Sequence, residues 1–160
     1  MEPTKLESKG SPSGLERLLF RAPIWLYRAR LGFLLGKRFC MIEHRGRKTG
    51  RLRRTVLEVV ARADGSIYVA AAWGRKAEWL KNLKADPHVV VHSGGGRYET
   101  KAILIGDDRA RLVLSDYADH HPKTLQSLAR FMLEDPGTTV EQSVERIATS
   151  VPIVELPRPR

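Results

Sequence analysis

The tightest constraint on the fold is a series of short apolar segments separated by tight turns. RFCMIEH, TVLEVVARA, SIYVAAAW, HVVVHS and RYETKAILI are rich in β-branched and aromatic residues, which suit a pleated, half-buried surface. Asp64 and Gly65 separate the second from the third, and Gly94, Gly95 and Gly96 separate the fourth from the fifth. Such turns join antiparallel neighbours, so both pairs read as β-hairpins. Between them lies KAEWLKNLKADP, with Ala77, Trp79, Leu80 and Leu83 at helical spacing and Pro87 as its stop. Further helices read over residues 107 to 121 and 123 to 134 and near Val140 to Ile147, and VPIVEL closes as a strand. Five or six strands in hairpins, with one short helix inserted, predict an α+β fold: a small antiparallel barrel with helices outside it.

A chain of 160 residues has room for one domain with a substantial core. Residues 1 to 14, rich in Gly, Ser, Pro and Lys, read as a disordered arm, and 15 to 160 as a single domain with a helical N-terminal segment. That segment, Leu15 to Leu35, carries Pro23 as the first residue of a second helical piece and ends at Gly36. Its Trp25, Leu26, Phe33 and Leu34 suit core packing or, with the interleaved arginines, peripheral contact with an acidic membrane. Arg21, Arg28 and Arg30 interrupt it, so it falls short of the roughly 20 apolar residues that a spanning helix needs. The single Cys40 excludes an intrachain disulfide and reads as a small buried apolar residue in a reducing, cytoplasmic setting, with any membrane contact at the inner face.

The net charge of +10 favours anionic partners, and much of it is concentrated in EHRGRKTGRLRRT, residues 43 to 55. Arg45, Arg47, Lys48, Arg51, Arg53 and Arg54 fall there between two expected strands. Gly46 and Gly50 are expected at positive φ, so that Thr49 and the exposed amides form an anion-binding nest flanked by Arg47 and Lys48. A solvated basic loop is the alternative. The segment lacks the Walker and Rossmann glycine patterns. Nucleic acid is disfavoured because no aromatic residue lies between Phe39 and Tyr68 to stack on bases. His44, His88, His92, His120 and His121 show no HExxH spacing, so no metal site is expected.

In AAAWGRKAEWLKNLKADP, the small residues Ala70 to Ala72 allow a flat ligand to approach. Trp73 or Trp79 could stack on it, and Gly74 with Arg75 begins the helix. Core packing is the other reading of Trp79. Asn82, an amide on an apolar and basic helix, needs a specific partner, either a ligand or a helix-to-barrel hydrogen bond.

Taken in order, GRKTGRLRRT, then W-x-x-N-L-x-A-x-P from Trp79 to Pro87, then VPIVEL resemble the deazaflavin-dependent nitroreductase family, within the split β-barrel flavin and deazaflavin oxidoreductases with their FMN-binding-like fold. The likeness is specific from Phe39 to Val91 and resumes at Ser150 to Leu156. It implies an oxidoreductase that binds coenzyme F420, whose phospholactyl tail ends in glutamates, and that transfers a hydride to or from a small quinone-like or nitro acceptor. It places the tail on Arg47, Lys48, Thr49 and Arg53, and the ring near Ala72, Trp73, Gly74 and Arg75, with Trp79 and Asn82 on the closing helix. FMN in the same barrel, or non-catalytic cofactor or lipid binding, are the alternatives. Two departures from the nitroreducing members stand out. The loop before the helix is shorter, and their tyrosine-rich segment is replaced by DYADHHPKTLQSLARFMLEDPG, in which Tyr117, His120 and His121 are candidates for an acceptor pocket.

Overall fold

A computed structural model describes residues 38–72 and 74–159. The N-terminal arm, the helical segment expected over 15 to 35 and Trp73 lie outside the described residues. Strands β1 (Phe39–Arg45), β2 (Leu52–Ala63) and β3 (Ser66–Ala70) lead into a 3-10 turn (Gly74–Lys76) and helix α1 (Glu78–Ala85). Then come β4 (His88–Ser93), β5 (Gly96–Lys101) and β6 (Ile103–Leu104), helices α2 (Asp107–His120), α3 (Pro122–Met132) and α4 (Val140–Ser150), and β7 (Ile153–Pro157).

All seven strands belong to one antiparallel sheet of order β5-β4-β1-β2-β3-β7-β6. Its two ends are successive pieces of one chain segment. β5 pairs with β4, the Ala102 amide still donates to the Pro87 carbonyl at 2.8 Å, and from Ile103 the chain pairs with β7 instead. This change of partner curls the sheet into a split barrel and divides the single strand expected over RYETKAILI. The turns obey local sterics: Asp64 and Gly65 sit at φ 51° and 76°, and Gly94 and Gly95 at 57° and 81°, the left-handed pair that a two-residue hairpin needs. The strand expected from Thr55 begins at Leu52, because its pairing with β1 runs on to Arg45↔Leu52; Arg53 and Arg54 are therefore strand residues. α1 starts two residues later than expected, because Gly74, at φ 68°, first turns the chain through the 3-10 segment.

Both faces of the sheet are covered. Inside the barrel lie Cys40, Ile42, Leu57, Val59, Val69, Val91, Val154 and Leu156, plugged by Trp79, Leu80 and Leu83 of α1. On the other face Val60, Ala61, Tyr68 and Ile153 pack against α2, α3 and α4. An extra residue in β2, between the pairs Val59↔Val69 and Ala61↔Tyr68, lets one strand supply both layers. An Arg111 fork onto Glu145, at 2.7 and 2.9 Å, ties α2 to α4. Thr139 and Gln142 form a capping box at the start of α4. Cys40 is fully buried, and burial raises its thiol pKa to about 12, in line with an inert core residue. No helix among the described residues is long and apolar enough to cross a membrane.

An eight-residue helix is too short to persist alone, so α1 depends on what it buries. Leu80, 1% exposed, is its deepest anchor. Leu80→Ala is expected to lower stability by about 2–5 kcal/mol in denaturant unfolding. A loss below about 1 kcal/mol would mean that α1 is not locked into the barrel.

Candidate functional site

The basic segment folds into the tip of the β1–β2 hairpin. The Gly46 amide donates to the Arg51 carbonyl at 2.9 Å, and the Gly50 amide to the Gly46 carbonyl at 2.7 Å. Gly50 takes φ 66°, as expected. Gly46 does not; its constraint is space, since a Cβ there would lie 3.2 Å from Thr49 Oγ1 and 3.4 Å from Arg53 Nε.

This tip is bound to α1 through one side chain. Asn82 Oδ1 accepts the Arg47 amide at 3.1 Å and Arg47 Nη1 at 3.0 Å. The same Nη1 reaches Glu78 Oε2 at 2.8 Å, and Lys81 donates to Glu78 Oε1 at 3.0 Å. These two hydrogen bonds hold the Glu78 carboxyl down at a pKa of about 2. On its other side, the Asn82 amide nitrogen lies 3.4 Å from His44 Nδ1, and His44 Nε2 lies 3.1 Å from Thr55 Oγ1. His44 and Asn82 are both buried. Asn82 therefore has the helix-to-barrel partner that the sequence left as one of two readings.

The tip's cations sort into two groups. Arg47 is paired with Glu78, Arg54 with Glu43 at 3.0 Å, and Arg45 donates to the Gly50 carbonyl at 3.1 Å. Lys48, Arg51 and Arg53 are exposed and make no ion pair or side-chain hydrogen bond among the described residues. Arg51, which was not among the expected site residues, shares the exposure of Lys48 and Arg53. Nothing in the sequence separates it from its neighbours, because the separation is made by acids elsewhere in the chain.

The other expected site residues lie on the connection from β3 to α1. Ala72 is half-buried against the helical layer, and Gly74 is buried, its amide donating to Ala71 O at 2.7 Å. Arg75 borders a cavity of about 50 Å³ beside Ile105, Asp107 and Pro152. Trp79, 7% exposed, is packed into the barrel interior, the other role its spacing allowed. α1 thus links the cationic tip to the β3 end, whereas Tyr117, His120 and His121 belong to another cleft. They line a cleft of about 610 Å³ with Arg38, Glu58 and Arg62. There the Tyr117 and His121 rings are 4.9 Å apart, and His120 Nδ1 donates to the Asp116 carbonyl at 2.9 Å. Burial first, and the Glu58 charge second, raise the Tyr117 hydroxyl pKa.

The sequence profile of the F420H(2)-dependent quinone reductases matches residues 19–130 of this chain. The chain belongs to that family. A Mycobacterium tuberculosis protein whose name places it among the F420H(2)-dependent quinone reductases is 32% identical over 75 residues. That match spans 45% of this chain and 63% of the relative's length. Among solved structures, one described as a domain-swapped dimer is similar with a TM-score of 0.52 at 16% identity, over 90% of this chain and 99% of its own. General stress protein 26 of Bacillus anthracis is similar with a TM-score of 0.50 at 12% identity, over 85% and 88% of the two chains. At these identities the structures speak for the fold alone. They agree with the split barrel of this quinone reductase family member.

The Asn82 bridge makes a direct prediction. Asn82→Ala strips buried partners from both the Arg47 amide and His44, and should cost about 1–3 kcal/mol in denaturant unfolding. Amide exchange at residues 46 to 51 should accelerate along with it. Unchanged exchange there would mean that the tip is held by its own turn.

Proposed function

We propose that this member of the family is an oxidoreductase that binds coenzyme F420 and reduces a small quinone-like acceptor. The observation that supports this most is the sorting of charge at the hairpin tip. Lys48, Arg51 and Arg53 remain unneutralised beside Thr49, on a loop whose position is set by Arg47 and Asn82. A phosphodiester followed by carboxylates calls for several charge-assisted donors on a pre-positioned scaffold, so the residues present fit the coenzyme tail. The ring then lies toward Ala72, Trp73, Gly74 and Arg75, as the resemblance implies. Trp79 and Asn82 act from beneath by holding α1 in place.

When bound, the reduced coenzyme supplies a hydride from its deazaflavin C5. The chain's own task is to orient ring and acceptor and to manage the proton that quinone reduction also requires. The cleft of Tyr117, His120 and His121 is the proposed acceptor site, with Val59 and Leu128 as apolar lining. His120 spends Nδ1 on the Asp116 carbonyl, which leaves Nε2 to hold or deliver that proton.

Two expectations follow. In fluorescence titrations F420 should bind and FMN should not, and Lys48→Ala with Arg53→Ala together should weaken F420 binding by about 2–5 kcal/mol. Arg54→Ala, at a charge already paired with Glu43, should change it by less than about 1 kcal/mol. Equal losses from both would show general electrostatics, not a built site, and preference for FMN would reassign the cofactor. In F420H2 oxidation assays menadione should turn over faster than a nitroimidazole, and His120→Phe should lower kcat with menadione by roughly 100-fold. An unchanged kcat would remove His120 from the chemistry, and faster turnover of the nitroimidazole would restore a nitroreductase.

A further inference from the structure

The side-chain hydrogen bonds that Asn82 makes favour one arrangement of protons. Arg47 offers only donors, through its amide and its guanidinium, so the Asn82 group facing it at 3.1 and 3.0 Å is the carbonyl oxygen. The Asn82 NH2 then faces His44 Nδ1 at 3.4 Å, and that nitrogen has to accept. His44 is therefore neutral, with its proton on Nε2 donated to Thr55 Oγ1 at 3.1 Å. We infer that neutral His44 is a positioning residue for the anion-binding tip, and that its protonation releases the tip from α1. This rests on the assignment of that tip to the coenzyme tail.

Protonation would set an N–H on Nδ1 against the Asn82 NH2. Turning the amide over to accept from His44 would set its NH2 against both Arg47 donors. One of the two contacts is lost in either case, and where the Arg47 contact is lost the tip keeps only the exposed Arg47–Glu78 ion pair to α1. The charged groups around His44 do not compensate. From β2 it faces the Arg53 cation across the pair His44↔Arg53, and from α1 the Glu78 carboxylate is already engaged by Arg47 and Lys81. In the groove that His44 helps line, Asp86 is tied to His88, and Glu99 stands on β5 beside Lys101. Burial, aided by Arg53 and opposed by a hydrogen bond involving Arg45, lowers the His44 pKa. Neutral His44 thus persists somewhat below the ordinary histidine range, and the tip is released only as pH falls through the lowered value. Sequence pointed there through one signal: His44 shares strand parity with the inward-facing Cys40 and Ile42.

The test compares the full chain with His44→Asn, which keeps an acceptor toward Asn82 but cannot titrate, and His44→Leu, which removes it. Nitrogen-detected NMR of the wild type should show Nε2–H as the neutral tautomer. The amide resonances of residues 46 to 51 should shift with the same midpoint as His44, below about pH 6.5. F420 affinity at about pH 5, relative to about pH 7.5, should fall roughly 10-fold more in the wild type than in His44→Asn, while His44→Leu binds weakly at both. An Nδ1–H tautomer, tip resonances that titrate independently of His44, or an equal acid loss in His44→Asn would overturn the inference. Failure of the wild type to bind F420 at about pH 7.5 would instead overturn the coenzyme assignment, because the NMR titration reads the tip with no ligand present.

Discussion

The structure turns on a single amide. Asn82 is where three parts of the molecule meet: an eight-residue helix, the tip of a hairpin and the inward side of β1. The helix is too short to be stable on its own and takes its stability from Trp79, Leu80 and Leu83 in the barrel. The tip is a polar loop with no apolar anchor of its own. An unmet donor or acceptor at this buried point costs more than a hydrogen bond gains, so the network is an all-or-none clasp between the two.

That clasp is the feature that would let a strongly basic loop serve as the specific site proposed for it. A flexible cationic loop would attract any anion and pay an ordering cost each time. Here Arg47 is spent on Glu78 and Asn82, Arg54 on Glu43, and the remaining cations are displayed from a loop that is already ordered. Surface ion pairs of this kind add little stability. Their consequence is geometric, since they determine which charges remain for a ligand and where those charges stand. Membership in the F420H(2)-dependent quinone reductase family and the chemistry of the exposed donors point to the same kind of ligand by separate routes.

Much of the barrel could be read in advance because its strands obey local rules. Richness in β-branched and aromatic residues marks β1 and β4, and left-handed pairs at Asp64–Gly65 and Gly94–Gly95 mark the hairpins. What escaped were events decided by tertiary partners. The alternation of β5 gives way to the apolar run Ala102 to Ile105, which reads equally well as a continued strand, so the move from β4 to β7 was not anticipated. The extra residue in β2, Val60, is an ordinary valine in an apolar run. At the site, the resemblance pointed to Arg47, Lys48, Thr49 and Arg53, but six cations in thirteen residues look alike until Glu78 and Glu43 divide them. His44 was weighed only as a metal ligand, although its strand parity already placed it inside.

We propose that the hairpin tip and the β3–α1 connection hold the coenzyme, with its ring within reach of an acceptor in the Tyr117 cleft. The most direct measurement is a backbone amide shift map of the protein with and without F420. The expected result is perturbation over residues 46 to 54 and around 72 to 76, with further shifts at the cleft of Tyr117 and His120 when a quinone is added. Perturbations confined to that cleft, with the tip unmoved, would contradict it.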